Sequence, residues 1–261
     1  MSGSAQGRLV LMPNTLDLGN EAVDLVDVVP LGAIRRAAGL RFWAAENARS
    51  TRAFLKRVNA VQPLVHVLQS IDIQELPRPR KGSPHPGPQH QSAETGALAR
   101  LLEPALAGHD IGLISEAGLP GVADPGADLV AEAHRQGIAV ETWCGPSALT
   151  LALAASGLNG QSFAFAGYLP VDAAARAARI RELEAASRRT RQTQLFIETP
   201  YRNPVMLDTL LNSLAESTRL SVSCGLSLPT GWTRTATAGE WRKSPRPLPS
   251  DTPAVFLFLA G

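Results

Sequence analysis

Residues 111–158 read IGLISEAGLPGVADPGADLVAEAHRQGIAVETWCGPSALTLALAASGL. An apolar run, 111–114, leads into Gly118-Leu119-Pro120-Gly121 and then Asp124-Pro125-Gly126. A helical pattern, a second short strand at 139–143 and Cys144-Gly145-Pro146-Ser147 follow. Two Gly/Pro-rich turns therefore each follow a strand. In open parallel α/β sheets, ligands bind in the loops beyond the carboxyl ends of strands. Glycine lets a backbone pass close to a ligand because it has no Cβ. Two readings of these turns stand: ordinary strand-to-helix connections, or two walls of one pocket.

The remainder of the chain supports an α/β protein. Strands are expected at 8–12, 40–45 and 64–68, with a helix at 30–38 and, after Glu46-Asn47-Ala48-Arg49, an amphipathic helix through Val58 with Phe54, Leu55 and Val58 inward. This β-α-β-α-β alternation points to a parallel sheet with helices on its faces. A helix over 92–107 would put Leu98, Leu101, Leu102 and Leu106 on one side and bend at Pro104. Ser147 is placed to cap a helix over 148–156. Beyond it lie strands at 163–168, 194–197, 219–223, 233–239 and 254–259, and helices over 172–189 and from the ETPYRNP segment to Ala215. The last strand, AVFLFL, is apolar throughout and should be central. The fold class expected is two α/β domains, 8–143 with a mostly parallel sheet and 144–261 with a mixed sheet, and a ligand cleft between them.

Composition narrows the function classes. A chain of 261 residues with 44% hydrophobic and 18% charged residues reads as a folded soluble protein. Its net charge of +2 does not by itself indicate a nucleic-acid partner. Only Lys56, Lys81 and Lys243 are lysines, so the cations are overwhelmingly arginines, which suit phosphates and carboxylates, although base composition of the genome explains the bias equally well. Two cysteines give neither a disulfide framework nor metal-ligand spacing, which makes a cytoplasmic setting the expectation. No apolar run reaches the ~20 residues of a membrane span. The loop behind the first strand lacks GxGxxG, which disfavours a dinucleotide fold.

Two basic stretches stand out. Residues 76–91, LPRPRKGSPHPGPQHQ, carry no apolar periodicity and read as a loop, either an inert insertion or a basic arm touching phosphates. Its His85 and His90 lack the rigid flanks a metal site needs, and no metal is expected. Helix 172–189 carries Arg176, Arg179, Arg181, Arg188 and Arg189 around a narrow stripe of Ile180 and Leu183. This is a solvated face or a phosphate-contacting one.

Taken in order, ISEAGLPGVADPG, CGPSALTLALAASGL, FAFAGYLP and LFIETPYR resemble the ISDAGTP...DPG, PGP...ALSASGL, F...GFLP and IFYES..R segments of the tetrapyrrole methylase superfamily. The similarity is greatest to its branch of small-subunit ribosomal RNA 2′-O-ribose methyltransferases. The resemblance covers about 8–259 and implies a class III methyltransferase fold, a homodimer and S-adenosylmethionine in the interdomain cleft. It implies that Gly118, Leu119, Pro120 and Val122 line the methionine side with Ser147 and Ala148, and that Glu198, Pro253 and Ala254 approach the adenosine. Methylation of a hydroxyl also needs a proton acceptor. Glu116 and Glu46 are the candidates, each equally readable as a structural or solvent-facing carboxylate.

Three segments depart from the branch. TPIGN is replaced by PNTLDLGN, EDTR by Glu46-Asn47-Ala48-Arg49, and RELTK by Cys224-Gly225-Leu226-Ser227-Leu228. RNA methylation is the leading expectation, with the Arg-rich helix 172–189 and loop 76–91 as RNA contacts. The alternatives are a methyltransferase of a tetrapyrrole or other small planar substrate, and a degenerate cofactor-binding protein without catalysis.

Overall fold

The structure, a computed structural model, describes residues 6–17, 19, 23–77 and 96–261. It divides into two compact units, Met1–Pro146 and Ser147–Gly261. Asn20, the start of the predicted helix at Ser92 and most of the 76–91 loop, with His85 and His90, lie outside the described residues.

In the first unit, strands β1 (Arg8–Leu11), β2 (Phe42–Ala45), β3 (Asp72–Glu75), β4 (Ile111–Ile114) and β5 (Ala139–Thr142) pair in the order β3-β2-β4-β1-β5. All of these pairings are parallel. The helices are α1 (Leu25–Val28), α2 (Leu31–Ala38), α3 (Ala48–Val61), α4 (Glu103–Leu106) and α5 (Ala127–Arg135). Apolar layers cover both faces. Val10, Trp43 and Ile114 pack with Ile34, Phe54 and Leu55 on one side, while Leu9, Ala44 and Leu113 pack with Leu102, Leu129 and Ala133 on the other. Burial on both faces is why β1, β2 and β4 are rich in apolar residues. In α3 the buried side chains are Thr51, Phe54, Leu55 and Val58, and Asn47 caps its start by accepting from the N–H groups of Arg49 and Ser50.

Two expectations are corrected. The third strand is Asp72–Glu75, not 64–68. Val65 and Val67 are 72% and 70% exposed in a loop, while the polar DIQE segment pairs with β2 at the sheet edge. The expected helix over 92–107 is not continuous, because Pro104 opens the separate short α4. Leu106 is consequently 48% exposed and Ala105 takes the buried place.

In the second unit, β6 (Phe163–Tyr168), β7 (Thr193–Ile197), β8 (Arg219–Cys224), β9 (Trp232–Thr237) and β10 (Ala254–Leu259) pair in the order β6-β7-β10-β8-β9. Only the β6–β7 pairing is parallel, so the sheet is mixed with β10 at its centre. Helices α7 (Ala173–Thr190), α8 (Asn203–Ser213) and α9 (Ala238–Lys243) cover one face, where Phe196 stacks on Phe256 with centroids 5.6 Å apart. Helix α6 (Ala148–Ser156) covers β8, β9 and β10 on the other.

One charged pair fixes the loop after β1. Arg57 of α3 donates from Nη1 and Nη2 to both carboxylate oxygens of Asp17, at 3.1 and 2.8 Å, and from Nη2 to the carbonyl of Val23. Asp17 is 1% exposed. Burial pushes its pKa up, but the hydrogen bonds from Arg57, Thr15 and the Gly19 N–H outweigh that and hold it below the ordinary value. Removing one partner of a buried pair strands the other charge, so Arg57→Ala is expected to cost about 3 kcal/mol at neutral pH. Because the folded pKa is depressed, the pair's contribution is complete above about pH 4 and fades as the pH falls below it. Urea unfolding of both proteins between pH 2.5 and 7 should therefore show the gap narrowing in acid, and a gap that does not change with pH would contradict this assignment.

Candidate functional site

The parallel sheet of the first unit delivers the ends of β1, β2, β4 and β5 to a single edge. There Asn14 ties neighbouring turns together. Its N–H donates to the Gly118 carbonyl at 2.8 Å, its Nδ2 donates to the carbonyls of Ser115 and Glu116 at 2.9 and 3.0 Å, and its Oδ1 accepts from the Thr15 N–H. Gly118 has φ +65, a conformation costly for any residue with a Cβ. Gly118 and Pro120 are buried and Leu119 is half-buried, whereas Val122 is exposed. The second turn meets the same edge, since a Cβ on Gly145 would lie 2.0 Å from Cβ of Pro13. Glycine there allows the Cys144–Pro146 segment to lie on the loop after β1.

Glu46 and Glu116, 70 residues apart in sequence, come together here. Glu46 Oε2 accepts the N–H of Glu116 at 2.9 Å, and the Glu116 side chain is exposed. The sequence reading passed over the third carboxylate, Asp124, because DPG reads as a turn. Burial, with the adjacent negative charges of Glu46 and Glu116, raises its pKa to about 7. Among the described residues, no group of three or more His, Cys, Asp or Glu side chains is arranged to hold a metal ion.

In the second unit, β7 ends beside the start of the antiparallel β10, with Ile197 opposite Val255, and β8 ends opposite Ala254. This register gathers Glu198, Cys224-Gly225 and Pro253-Ala254. Gly225 N–H donates to the Pro253 carbonyl at 2.9 Å, and Asn203 Nδ2 donates to the Thr252 carbonyl at 2.8 Å. Ala148 packs with Ile197, Val255 and Leu226, so the start of α6 lies at the same edge. Ser147 holds the N-cap position and is buried, but its hydroxyl makes no capping bond, contrary to expectation. Pro253 is exposed and Ala254 buried.

Two buried acceptors at this edge are not satisfied. Glu198 Oε1 accepts from the Thr199 N–H and hydroxyl, whereas Glu198 Oε2 and Asn203 Oδ1 have no hydrogen-bond partner. The Arg202 guanidinium lies 3.1 Å from Glu198 Oε2 and offsets its charge without the alignment of a hydrogen bond. Buried polar atoms left without partners carry a desolvation cost. Asn203 and Thr252 were not found from sequence, because neither belongs to a motif and their pairing spans 49 residues.

The Arg-rich helix also differs from expectation. Arg176 is buried, with its guanidinium donating to the carbonyls of Pro170 and Val171 and to the Thr209 hydroxyl. Arg179, Arg181, Arg188 and Arg189 remain exposed.

A parallel α/β unit joined to a mixed α/β unit, with candidate loops gathered at one edge of each sheet, defines the class. The same fold occurs in the uroporphyrin-III C-methyl transferase of Thermus thermophilus solved with S-adenyl homocysteine. That structure is 16% identical with a TM-score of 0.51 over 96% of this chain and 97% of that one. The chain belongs to the tetrapyrrole (corrin/porphyrin) methylases, whose sequence profile matches residues 26–240. Among curated relatives, the ribosomal RNA small subunit methyltransferase I of Mesorhizobium japonicum is 37% identical over 51% of this chain and 44% of its own length. The protein of the same name from Halalkalibacterium halodurans is 32% identical over 76% of this chain and 59% of its own length. The matches thus span about half of these relatives.

The raised pKa of Asp124 makes a checkable statement about stability. A carboxyl that holds its proton more tightly when folded makes the folded state bind more protons between about pH 4 and 7, so stability falls as the pH rises through that window. Asp124→Asn is expected to flatten this fall in urea midpoints measured from pH 4 to 8. An unchanged profile would contradict the placement of the three carboxylates.

Proposed function

We propose that this chain is an S-adenosylmethionine-dependent methyltransferase that acts on RNA in the cytoplasm, at a ribose 2′-hydroxyl of the small-subunit ribosomal RNA. The observation that carries this reading is where the family's motif residues fall. In the first unit they occupy the edge built on Asn14, and in the second they lie beside Glu198 Oε2, ion-paired to Arg202, and Asn203 Oδ1, which has no hydrogen-bond partner. Gly118, Leu119, Pro120 and Val122 would take the methionine portion, with Ser147 and Ala148. Glu198, Pro253 and Ala254 would take the adenosine portion, and the buried Asn203 Oδ1, an acceptor without a hydrogen-bond partner, suits a ligand bearing hydroxyl and amino donors. RNA is chosen over a small planar substrate because the curated relatives are named for ribosomal RNA and because α7 exposes four arginines. The uroporphyrin enzyme shares the fold and carries no substrate with it.

The sulfonium of the bound cofactor supplies an activated methyl group. The protein's part is to align the acceptor and receive its proton. Transfer would join the acceptor oxygen to the methyl carbon while the departing sulfur kept the bonding electron pair, and the chain's residues would hold the acceptor oxygen toward that methyl group. The hydroxyl proton passes to a carboxylate. Glu46, whose Oε2 accepts the Glu116 N–H, and Glu116 stay candidates, and Asp124 joins them with the proton affinity suited to neutral pH. Calorimetry should show binding of S-adenosylmethionine and S-adenosylhomocysteine, weakened by Asn203→Ala. Labelled cofactor should methylate RNA from cells lacking the protein, with Asp124→Asn slowing transfer by about 10²-fold or more while leaving cofactor affinity intact. Absence of cofactor binding, or methyl incorporation only into small metabolites, would overturn the reading.

We also propose that the protein is a homodimer formed through the second unit. Phe163 and Phe165 stand exposed on the edge strand β6, and Val171, Tyr201 and Val205 are exposed as well. A second copy paired along this edge strand would bury the two exposed phenylalanines, which lie two residues apart on it. Light scattering should give twice the chain mass, reduced to one by Phe163→Glu with Phe165→Glu. A wild-type monomer at micromolar concentration would rule the dimer out.

A further inference from the structure

A cavity of the first unit lies at the opposite, amino-terminal edge of its sheet, where β2 and β4 begin. It has a volume of about 240 Å³, and its walls include Arg36, Arg41, Phe42, His66, His109 and Asp110. We infer that this cavity binds a phosphoryl group, as a site separate from the family's cofactor residues, through Arg41 and the imidazoles of His66 and His109.

Asp110 and the nearby Glu141 are already consumed. Arg36 donates to Asp110 Oδ2 at 2.6 Å and to Glu141 Oε1 at 2.9 Å. Asp110 Oδ1 accepts the Arg8 N–H at 2.8 Å, while Glu141 also receives Arg8 Nη1 and Trp143 Nε1. Arg36 and its acids therefore form a closed network that offers an incoming anion little repulsion. The carboxylate of Asp72, whose N–H pairs with the Arg41 carbonyl, is engaged by Gln74.

Arg41 differs from Arg36. It is exposed and, among the described residues, has no ion pair, and its guanidinium lies 5.5 Å from the centroid of Phe42. Phe42 in turn packs against His109 at 5.3 Å. An arginine steadied on an aromatic ring and flanked by imidazoles presents donors in the geometry phosphates favour. The cavity is smaller than the ~300 Å³ at which drug-sized ligand pockets begin, which suits a phosphoryl or ribose-phosphate group. Val65 and Val67, which flank His66, are 72% and 70% exposed.

Free phosphate and the backbone of an RNA share this chemistry, and the test separates them. The ring signals of His66 and His109 are followed by NMR while sodium phosphate, or a single-stranded RNA hexamer, is added at constant ionic strength. Both rings should shift with phosphate. Arg41→Ala should weaken phosphate binding at least tenfold and Arg41→Lys by less. If the source is RNA, Arg41→Ala also weakens the hexamer and lowers the slope of log affinity against log salt by about one. If hexamer affinity is unchanged while phosphate binding is lost, the site takes a free phosphate. Rings that respond to neither probe, or respond equally in Arg41→Ala, overturn the inference. The inference borrows from the RNA reading only a source of phosphate. Cofactor affinity measured on the same samples should be equal in wild type and Arg41→Ala, so a failure of that reading is distinguishable from a failure of this one.

Discussion

Asn14 is the constraint on which the first unit's candidate edge depends. One buried side chain, with its own N–H, satisfies three carbonyls of the turn after β4 and one N–H of the turn after β1. Those turns have no regular ladder to pair with, and buried backbone groups must find partners somewhere. Asn14 supplies them, which permits the left-handed Gly118 and the close approach of Gly145 to Pro13. The Asp17–Arg57 pair holds the next residues of the same loop to α3. The loop that departs from the family pattern is thus firmly anchored by its own chemistry.

The sequence was informative wherever both faces of an element are buried. AVFLFL reads as central because every one of its residues is covered, and Phe54, Leu55 and Val58 point inward as spaced. It misled where identity depends on a partner strand. DIQE is a strand because β2 offers it a ladder, whereas LVHVL, apolar by composition, has none. Arg176 illustrates the same limit for charge. Counted among surface cations, it is buried because the carbonyls of Pro170 and Val171 need a donor inside the unit.

The candidate site was legible in its backbone and poorly legible in its side-chain chemistry. Glycine and proline turns announce themselves locally, and each motif fell at an edge where strands deliver loops. Glu46 meeting Glu116, and Asn203 meeting Thr252, are products of sheet register over 70 and 49 residues. Asp124 escaped notice because its proton affinity is set by burial and two neighbours that only the fold brings near.

The same carboxylates limit how RNA could be held. Glu46, Glu116 and Asp124 make the reacting edge of the first unit acidic, and an acidic edge repels a phosphate backbone. On the proposed RNA reading, affinity would come from cations elsewhere, since most of it arises from neutralising phosphates. In the second unit the exposed arginines of α7 are available, with Arg179 partly offset by Glu182. In the first, Arg41 beside its two histidines lies at the opposite edge of the sheet from the carboxylates. The two proposals thus put proton acceptance and phosphate attraction at opposite ends of one parallel sheet, where neither charge weakens the other.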